Sequence, residues 1–318
     1  MEIRRIIAFH AIKAIMQGLL SLLGTEILTA LGMLYLMLGV ASLGVGLTLR
    51  ARPQSQLRLQ VNAWWAIFPV VTLSLLLHPA GATLLALAIG VLALRELAPF
   101  AGQGGAARYT WPAAAILGAT IALIFVKPQA VAFVLSIAIL VTLVYFLWSR
   151  STPSLLWLLW LVLCLGASFL PRYEMLPLEP HQRLAWLFYL YVLTALNDVA
   201  QFISGTLFGR HRIAPGISPN KTWQGLLGGV AATLLLSLAL GGHLHLAQAR
   251  QLAGYGVLLS LGGFCGDLMF SAAKRVLGVK DFSQLIPGHG GILDRVDSLV
   301  VTAPLLYFLI SSAQGMPA

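Results

Sequence analysis

Residues 129–148 read QAVAFVLSIAILVTLVYFLW, an unbroken stretch without Asp, Glu, Lys or Arg. About 20 apolar residues allow a helix to cross a bilayer, so this stretch predicts a transmembrane helix. Of the 318 residues in the chain, 59% are hydrophobic and only 9% are charged, whereas soluble domains have roughly 25% charged residues. The composition therefore predicts an all-α, polytopic integral membrane helical bundle. It also predicts no nucleic-acid partner. The net charge is +10, but a nucleic-acid-binding protein carries its Lys and Arg on the surface of a soluble domain, and the sequence contains no such domain.

Other stretches have the same length and character, so about 10 transmembrane helices are expected. Residues 3–24 are ambiguous, because Arg4, Arg5, His10 and Lys13 recur among apolar residues. This pattern suits an interfacial amphipathic helix as well as a short span. The predicted spans are 27–49, 62–77, 80–97, 111–126, 129–148, 154–170, 184–207, 223–241, 251–273 and 298–314.

The basic residues between these spans predict the orientation of the chain. Successive connections alternate between the two sides of the membrane. The connections on one side hold only four basic residues, which are Lys127, Arg172, Arg183 and Arg250, whereas those on the other side hold 13. Because Lys and Arg accumulate in cytoplasmic loops, the richer set is expected to face the cytoplasm. The richer set comprises Arg50, Arg52, Arg58, Arg95, Arg108, Arg150, Arg210, Arg212, Lys221, Lys274, Arg275, Lys280 and Arg295.

Charged residues concentrate in the window 267–298, which contains eight of the 30 Asp, Glu, Lys and Arg residues. All five Asp residues of the chain lie after residue 197. Ionic groups are costly within a membrane protein and usually mark a functional region. We therefore predict that residues 1–183 form a scaffold of transmembrane helices and that residues 184–318 form the catalytic region.

One helical face within this window combines a carboxylate, a hydroxyl and an ammonium group. Asp267, Ser271 and Lys274 are spaced four and three residues apart, so they share a face if the segment is helical. Such a stripe on an apolar helix favours a site, although an internal salt bridge would also explain it. Further along, Asp294 and Asp297 are three residues apart and could either act in a site or complement a helix dipole.

The loop 208–222 is a second candidate region, because its Gly and Pro residues are incompatible with a regular helix. Thr222 is a suitable N-cap for a helix that begins at Trp223. Lys221 lies beside that helix N-terminus, where free N–H groups and the helix dipole favour phosphate. Asp198 precedes this loop at the end of an apolar span, and it could either face a polar cavity or lie at the interface.

Together these motifs resemble the signature of the phosphatidate cytidylyltransferase (CDP-diacylglycerol synthase) family. The resemblance covers about residues 190–300 and differs from the usual family pattern at Phe202, Gln224 and Ser283. These departures suggest a divergent paralogue. The matching motifs are Asn197-Asp198, Gly205, Phe208-Gly209-Arg210, Ser218-Pro219-x-Lys221-Thr222, Ser271-x-x-Lys274-Arg275, Lys280-Asp281, Pro287-Gly288-His289-Gly290-Gly291 and Asp294-Arg295-x-Asp297.

The resemblance implies that CTP and phosphatidic acid react to give CDP-diacylglycerol and pyrophosphate, with Mg²⁺ as cofactor. It also implies an inner-membrane enzyme and suggests a homodimer. The catalytic residues would be Asp267, Asp294, Lys274 and Arg275, and the metal ligands would be Asp267 and Asp294, with Asp297 and Asp198 in support. The substrate-binding residues would be Ser218, Lys221, Thr222, Ser271, Lys280, His289, Gly290, Gly291 and Arg295.

Three other readings of the sequence stay open. One is a cytidylyltransferase or CTP-dependent kinase that acts on another lipid. Another is a catalytically silent relative that binds lipid or a partner, which the Gln224 departure keeps open. The third is a transporter that uses intramembrane Asp residues for protons, although it leaves the cation- and glycine-rich cluster unexplained.

Overall fold

The computed structural model describes residues 2–48, 56–102, 105–285 and 290–315. Within these ranges, nine helices are long and apolar enough to cross a membrane, and the shorter apolar helix Val61–Leu76 accompanies them. The predicted all-α membrane bundle is therefore confirmed, with spans close to those expected from the sequence. Helix α1 departs from helical geometry at Gly24, where φ is 73° and ψ is 165°. This break lies at the end of the ambiguous N-terminal segment, before the first predicted span, which begins at residue 27.

The helices and strands follow one another along the chain as follows. They are α1 (Glu2–Thr48), α2 (Gln56–Leu76), α3 (Gly81–Leu97), a 3₁₀ turn (Ala98–Ala101), α4 (Gly105–Ile124), α5 (Pro128–Ser149), α6 (Thr152–Tyr173), α7 (Pro180–Phe208), β1 (Arg212–Ala214), β2 (Ser218–Thr222), α8 (Trp223–His243), α9 (Ala249–Val276), α10 (Leu293–Val296) and α11 (Leu299–Ala313).

Prolines fix the beginnings of several helices. Helices α5 and α7 begin at Pro128 and Pro180, and Pro153 lies in the first turn of α6. Proline suits this position because its φ is already helical and the first turn needs no N–H donor.

Helices α6 and α7 form the centre of the bundle, whereas α5 lies at its periphery. Trp160, Tyr173, Phe188 and Tyr189 are among the largest fully buried side chains. By contrast, Trp148 at the end of α5 is 81% exposed. Large apolar side chains that face outwards are expected where the surroundings are lipid.

A small β-hairpin interrupts the helical chain after α7. Strands β1 and β2 pair in antiparallel register, with Arg212 opposite Thr222 and Ala214 opposite Ser218. The hairpin accounts for the loop in which Pro215 and Gly216 exclude a regular helix. It also places Lys221 and Thr222 at the start of α8, at the same end of the bundle as the C-terminal end of α9.

The opposite end of the bundle contains a second, smaller polar cluster. His78, between α2 and α3, places its Nδ1 atom 2.7 Å from Oε2 of Glu174, which follows α6. Arg183 donates a hydrogen bond of 2.7 Å to the backbone carbonyl of Glu174. Burial raises the pKa of Glu174 to about 7, although nearby Arg183 opposes this shift. Burial and Arg183 together lower the pKa of His78.

We expect the stability of the protein to fall, relative to that of Glu174→Gln, as the pH rises from about 4 to about 7. The folded protein holds the Glu174 proton up to a pKa of about 7, whereas the unfolded chain releases it near pH 4. Stability from the protonated carboxyl is therefore lost as the pH passes through the folded pKa. Thermal unfolding in detergent at several pH values measures the difference. Parallel Tm curves for the two proteins would contradict the assignment.

Candidate active site

Two ion pairs lie at the end of the bundle where α9 meets the β-hairpin. The Nζ atom of Lys274 lies 2.6 Å from Oδ1 of Asp294, and both side chains are buried. Lys221, at the end of β2, forms an ion pair with Asp267 on α9. The ammonium group of each lysine also lies over an aromatic ring, that of Phe282 for Lys274 and that of Phe264 for Lys221. The Lys221–Asp267 pair brings the two polar segments predicted from the sequence together.

The shared helical face predicted from residue spacing is present on α9. Ser271 donates a hydrogen bond of 3.2 Å to Oδ1 of Asp267, one turn earlier. Lys274 lies on the same helix but pairs with Asp294 rather than with Asp267. Asp267 and Lys274 therefore each form a salt bridge, as the alternative reading allowed, but with residues of other segments rather than with one another. These salt bridges do not exclude a catalytic role for Asp267 and Lys274, because each pair has one member on α9 and the two pairs form one charged region.

Asp294 also organises the backbone around it. Its Oδ2 atom accepts hydrogen bonds from the N–H groups of Phe282, at 3.2 Å, and Gly291, at 2.9 Å. Because Oδ1 accepts from Lys274 at 2.6 Å, both oxygens have donors from the protein. The carboxylate is therefore well compensated for its burial. This set of donors favours a role in holding Lys274 and the backbone, and the predicted role as a metal ligand stays a prediction.

Gly290 and Gly291 are needed because carboxylates of the chain itself approach them closely. Gly290 has φ of 76°, and a Cβ atom there would lie 2.7 Å from Oδ2 of Asp294. A Cβ atom on Gly291 would collide with the carboxylate of Glu96. Approach to a bound ligand, which the sequence suggested for both glycines, stays a prediction. His289 lies outside the described residues.

Asp198 and Asp297 lie on the α7 and α11 side of the region. Ser298 donates to Oδ1 of Asp198 at 3.1 Å, and its own N–H donates to Oδ1 of Asp297 at 2.8 Å. Asp294 and Asp297 therefore have different surroundings despite their spacing of three residues.

Asn197, next to Asp198, is held in place by three hydrogen bonds. Its Oδ1 atom accepts them from residues of α7, α8 and α9. The donors are Gln201 at 3.1 Å, Thr233 at 3.1 Å and Ser260 at 2.6 Å.

The β-hairpin is fastened to α8 and α9 by polar contacts. Thr222 is the N-cap of α8, since its hydroxyl accepts a hydrogen bond of 3.1 Å from the N–H of Gly225. The Nε atom of Arg275 donates to the carbonyl of Ile217 at 2.9 Å. Gln224 accepts from the N–H groups of Arg210, at 3.0 Å, and His211, at 3.2 Å. The amide at position 224 thus satisfies the backbone of the turn.

The other predicted binding residues differ in their surroundings. Lys280 and Arg295 are exposed, and Ser218 is half-buried. Within the described ranges, the side chains of these three residues make no hydrogen bond or ion pair. Two exposed cations beside the buried pairs are available to an anionic ligand from the aqueous side.

Three of the predicted metal ligands lie close enough to repel one another. Asp198, Asp267 and Asp297 interact electrostatically, and Lys221 and Arg295 oppose this accumulation of negative charge. Carboxylate oxygens are the donors that Mg²⁺ prefers. Among the described residues, however, no three carboxylate, imidazole or thiol groups converge closely enough to hold one ion. A magnesium ion here would need water or substrate oxygens as further ligands, as is usual for this metal.

Sequence reasoning missed Glu96, which lies near the end of α3 in the half of the chain predicted to be scaffold. Its carboxylate contacts Ser283, Ile292 and Leu293, more than 180 residues further along the chain. The available signal was an acidic residue near the end of an apolar span, the same signal that drew attention to Asp198. Ser298, directly before α11, was missed as well, since a single serine at the start of an apolar span is common in sequences.

The chain is similar to several bacterial proteins. It is 46% identical over 122 residues to the uncharacterized protein YnbB of Escherichia coli K12, covering 38% of this chain and 41% of that protein. It is 38% identical over 144 residues to phosphatidate cytidylyltransferase of Haemophilus influenzae, covering 42% and 49% of the two chains. It is also 38% identical over 149 residues to phosphatidate cytidylyltransferase of Staphylococcus aureus COL, covering 46% and 55%.

These alignments span about half the length of the relatives. The family comparison extends further, because residues 58–313 match the cytidylyltransferase family. That range includes both ion pairs, the β-hairpin and every predicted site residue. This integral membrane protein therefore belongs to the cytidylyltransferase family.

Proposed function

We propose that the protein transfers the cytidylyl group of CTP to phosphatidic acid, giving CDP-diacylglycerol and pyrophosphate. The observation that carries the proposal is the pair of lysines, Lys221 and Lys274, held by Asp267 and Asp294 at one end of an apolar bundle. Such a place allows a lipid phosphate from the bilayer and a nucleotide from water to meet. The names of the Haemophilus and Staphylococcus relatives support the same reaction.

The chemical requirement of this reaction is the approach of two polyanions. An oxygen of the lipid phosphate attacks the α-phosphorus of CTP, and the bond to the pyrophosphate oxygen breaks. The nucleophile is already anionic near pH 7, so a strong general base is unnecessary. Catalysis would come mainly from alignment and from neutralising the negative charge that develops on the phosphoryl oxygens.

The cations of the site would divide this task between them. Lys274, held by Asp294, and the exposed Lys280 and Arg295 would bind CTP phosphates or the departing pyrophosphate. Lys221, at the N-terminus of α8, would bind the other phosphate with help from Ser218. Thr222 and Arg275 would act by positioning the hairpin, because the first caps α8 and the second binds the carbonyl of Ile217.

The carboxylates of Asp198 and Asp297 fit a magnesium ion better than that of Asp294 does. They repel one another, and among the described residues they accept hydrogen bonds only at Oδ1, whereas both oxygens of Asp294 do so. Asp267 repels both of them but, like Asp294, has a partner at each oxygen, a serine hydroxyl and Lys221. Bound Mg²⁺ would stabilise negative charge on phosphate oxygens. This chain would supply one or two of its ligands, and Lys221 would remain beside Asp267 to orient an adjacent phosphate.

The orientation and assembly of the protein belong to the same proposal. The excess of Lys and Arg in the connections at the site end favours a site that faces the cytoplasm, where CTP is available. The bacterial relatives favour the inner membrane as the location. A homodimer stays a prediction from the family resemblance.

The expected result with purified protein, CTP, Mg²⁺ and phosphatidic acid is transfer of label to lipid from α-phosphate-labelled CTP. Label at the γ-phosphate should appear in pyrophosphate instead. A parallel panel of other lipid phosphates, including an isoprenoid phosphate, measures which acceptor gives the highest kcat/KM. Transfer of the γ-label to lipid would show a kinase, and no transfer to any acceptor would reject the proposed activity.

A further inference from the structure

Glu96 is a buried carboxylate that reaches the predicted catalytic region from the other half of the chain. Its relative exposure is 6%. Its Oε1 atom accepts hydrogen bonds from the hydroxyl of Ser283 and the N–H of Ile292, both at 2.7 Å. Its Oε2 atom accepts from the N–H of Leu293 at 3.0 Å. Three donors therefore compensate a charge that would otherwise be costly to bury.

These contacts fix the backbone directly before Asp294. The N–H groups of Ile292 and Leu293 begin the short helix α10 and would otherwise have no partner within it. The N–H of the preceding residue, Gly291, is bound by Asp294 itself at 2.9 Å. Three consecutive N–H groups are thus bound by two carboxylates, that of Gly291 by Asp294 and those of Ile292 and Leu293 by Glu96. The absence of a side chain at Gly291 leaves room for this approach, since a Cβ atom would collide with Glu96.

Ser283 extends the contact to the segment that precedes this loop. Its hydroxyl donates to Glu96, and the neighbouring N–H of Phe282 donates to Asp294 at 3.2 Å. The two carboxylates therefore bind residues 282–283 as well as 291–293. Asp294 in turn binds Lys274 at 2.6 Å. A displacement of Glu96 would be transmitted through the loop backbone to Asp294 and then to the Lys274 ammonium group.

We propose that Glu96 is a positioning residue, which binds the backbone of residues 292–293 and the Ser283 hydroxyl and thereby holds Asp294 and Lys274 in their working arrangement. Within the described residues Glu96 forms no ion pair with Lys, Arg or His, so its charge is compensated by the segment that it holds. The catalytic part of this proposal rests on the proposed function, whereas the positioning part does not.

Amide hydrogen exchange of the full chain in detergent tests the contact without reference to activity. In Glu96→Gln the amide group cannot accept from all three donors, because its nitrogen is itself a donor. We expect the peptide that covers residues 290–298 to exchange at least tenfold faster than in the wild type. Peptides from α8 should be unchanged. Glu179→Gln, which alters an exposed carboxylate at the opposite end of the bundle, is the matched control and should leave both regions unchanged.

The activity assay then tests the consequence for catalysis. We expect Glu96→Gln to lower kcat at least tenfold while KM for the lipid phosphate changes less than twofold. Ser283→Ala should lower kcat about threefold in the wild type and have no further effect in Glu96→Gln, because both changes remove the same contact. Additive losses would show that the two side chains act independently and would overturn the proposal.

The remaining outcomes separate the two proposals. Unchanged exchange at 290–298 in Glu96→Gln would overturn the positioning role, whatever the activity. Faster exchange with wild-type kcat would show that the contact does not serve the reaction. If the wild type itself transfers no cytidylyl group while exchange responds as expected, the proposed activity fails and Glu96 keeps only its role in holding the loop.

Discussion

Replacing Asp294 with Asn is expected to lower cytidylyl transfer by at least 10²–10³-fold, roughly the effect of removing one electrostatic group from a preorganised site. It should also destabilise the protein by about 3 kcal/mol, because Lys274 would remain buried without its counterion. The ion pair at 2.6 Å between Lys274 and Asp294 predicts both effects. The α-label assay and thermal unfolding in detergent measure the two losses separately.

The double variant Lys274→Met/Asp294→Asn distinguishes catalysis from folding. It removes the buried charge pair together, so most of the lost stability should return while activity should stay lost. Recovery of activity along with stability would show that Asp294 acts only through folding. Activity near that of the wild type in Asp294→Asn would contradict its place in the site.

Replacing Asp267 with Asn is expected to cause a similar loss of activity, about 10²–10³-fold, with little change in Tm. Asp267 and its partner Lys221 are partly accessible to solvent, with side-chain exposures of 23% and 19%, so loss of this pair costs little folding energy. If Asp267 is a magnesium ligand, the concentration of Mg²⁺ that gives half-maximal activity should rise in the variant. The measurement is an Mg²⁺ titration of the initial rate at saturating CTP.

Arg58→Ala is the matched control for Asp267→Asn. Arg58 lies at the start of α2, outside the predicted site, and its replacement should leave both the rate and the Mg²⁺ dependence near those of the wild type. An Asp267→Asn enzyme with a normal rate would remove Asp267 from the catalytic set. A reduced rate with an unchanged Mg²⁺ dependence would instead leave it as the partner that holds Lys221.

Local sequence patterns predicted the features of this protein that depend on neighbouring residues. The membrane spans follow from the length and apolar character of each segment, as in 129–148. The helical face of Asp267 and Ser271 and the N-cap at Thr222 follow from spacing and residue type, and both are present. Such features need no knowledge of distant parts of the chain.

The partners of the charged residues could not be derived in the same way. Lys221 pairs with Asp267 and Lys274 pairs with Asp294, and no periodicity specifies which lysine meets which carboxylate across two helices. Glu96 is the clearest case, because its donors lie more than 180 residues away. Position along the chain suggested a scaffold for this half, while helix packing brings α3 beside the predicted catalytic region. The metal ligands and the roles of individual residues stay predictions.

The contacts of Asn197 restrict how the helices around the site can rotate. One oxygen accepts hydrogen bonds from α7 itself, α8 and α9. Advancing α8 by one residue would turn it about 100°, which would move the Thr233 hydroxyl away from that oxygen. Each interhelical hydrogen bond of this kind is worth only about 0.6 kcal/mol, but lipid offers no water to replace it. Polar contacts thus fix the rotation of α8 about its own axis relative to α9. Because Lys221 lies two residues before the start of α8, the same contacts fix the direction from which Lys221 approaches Asp267.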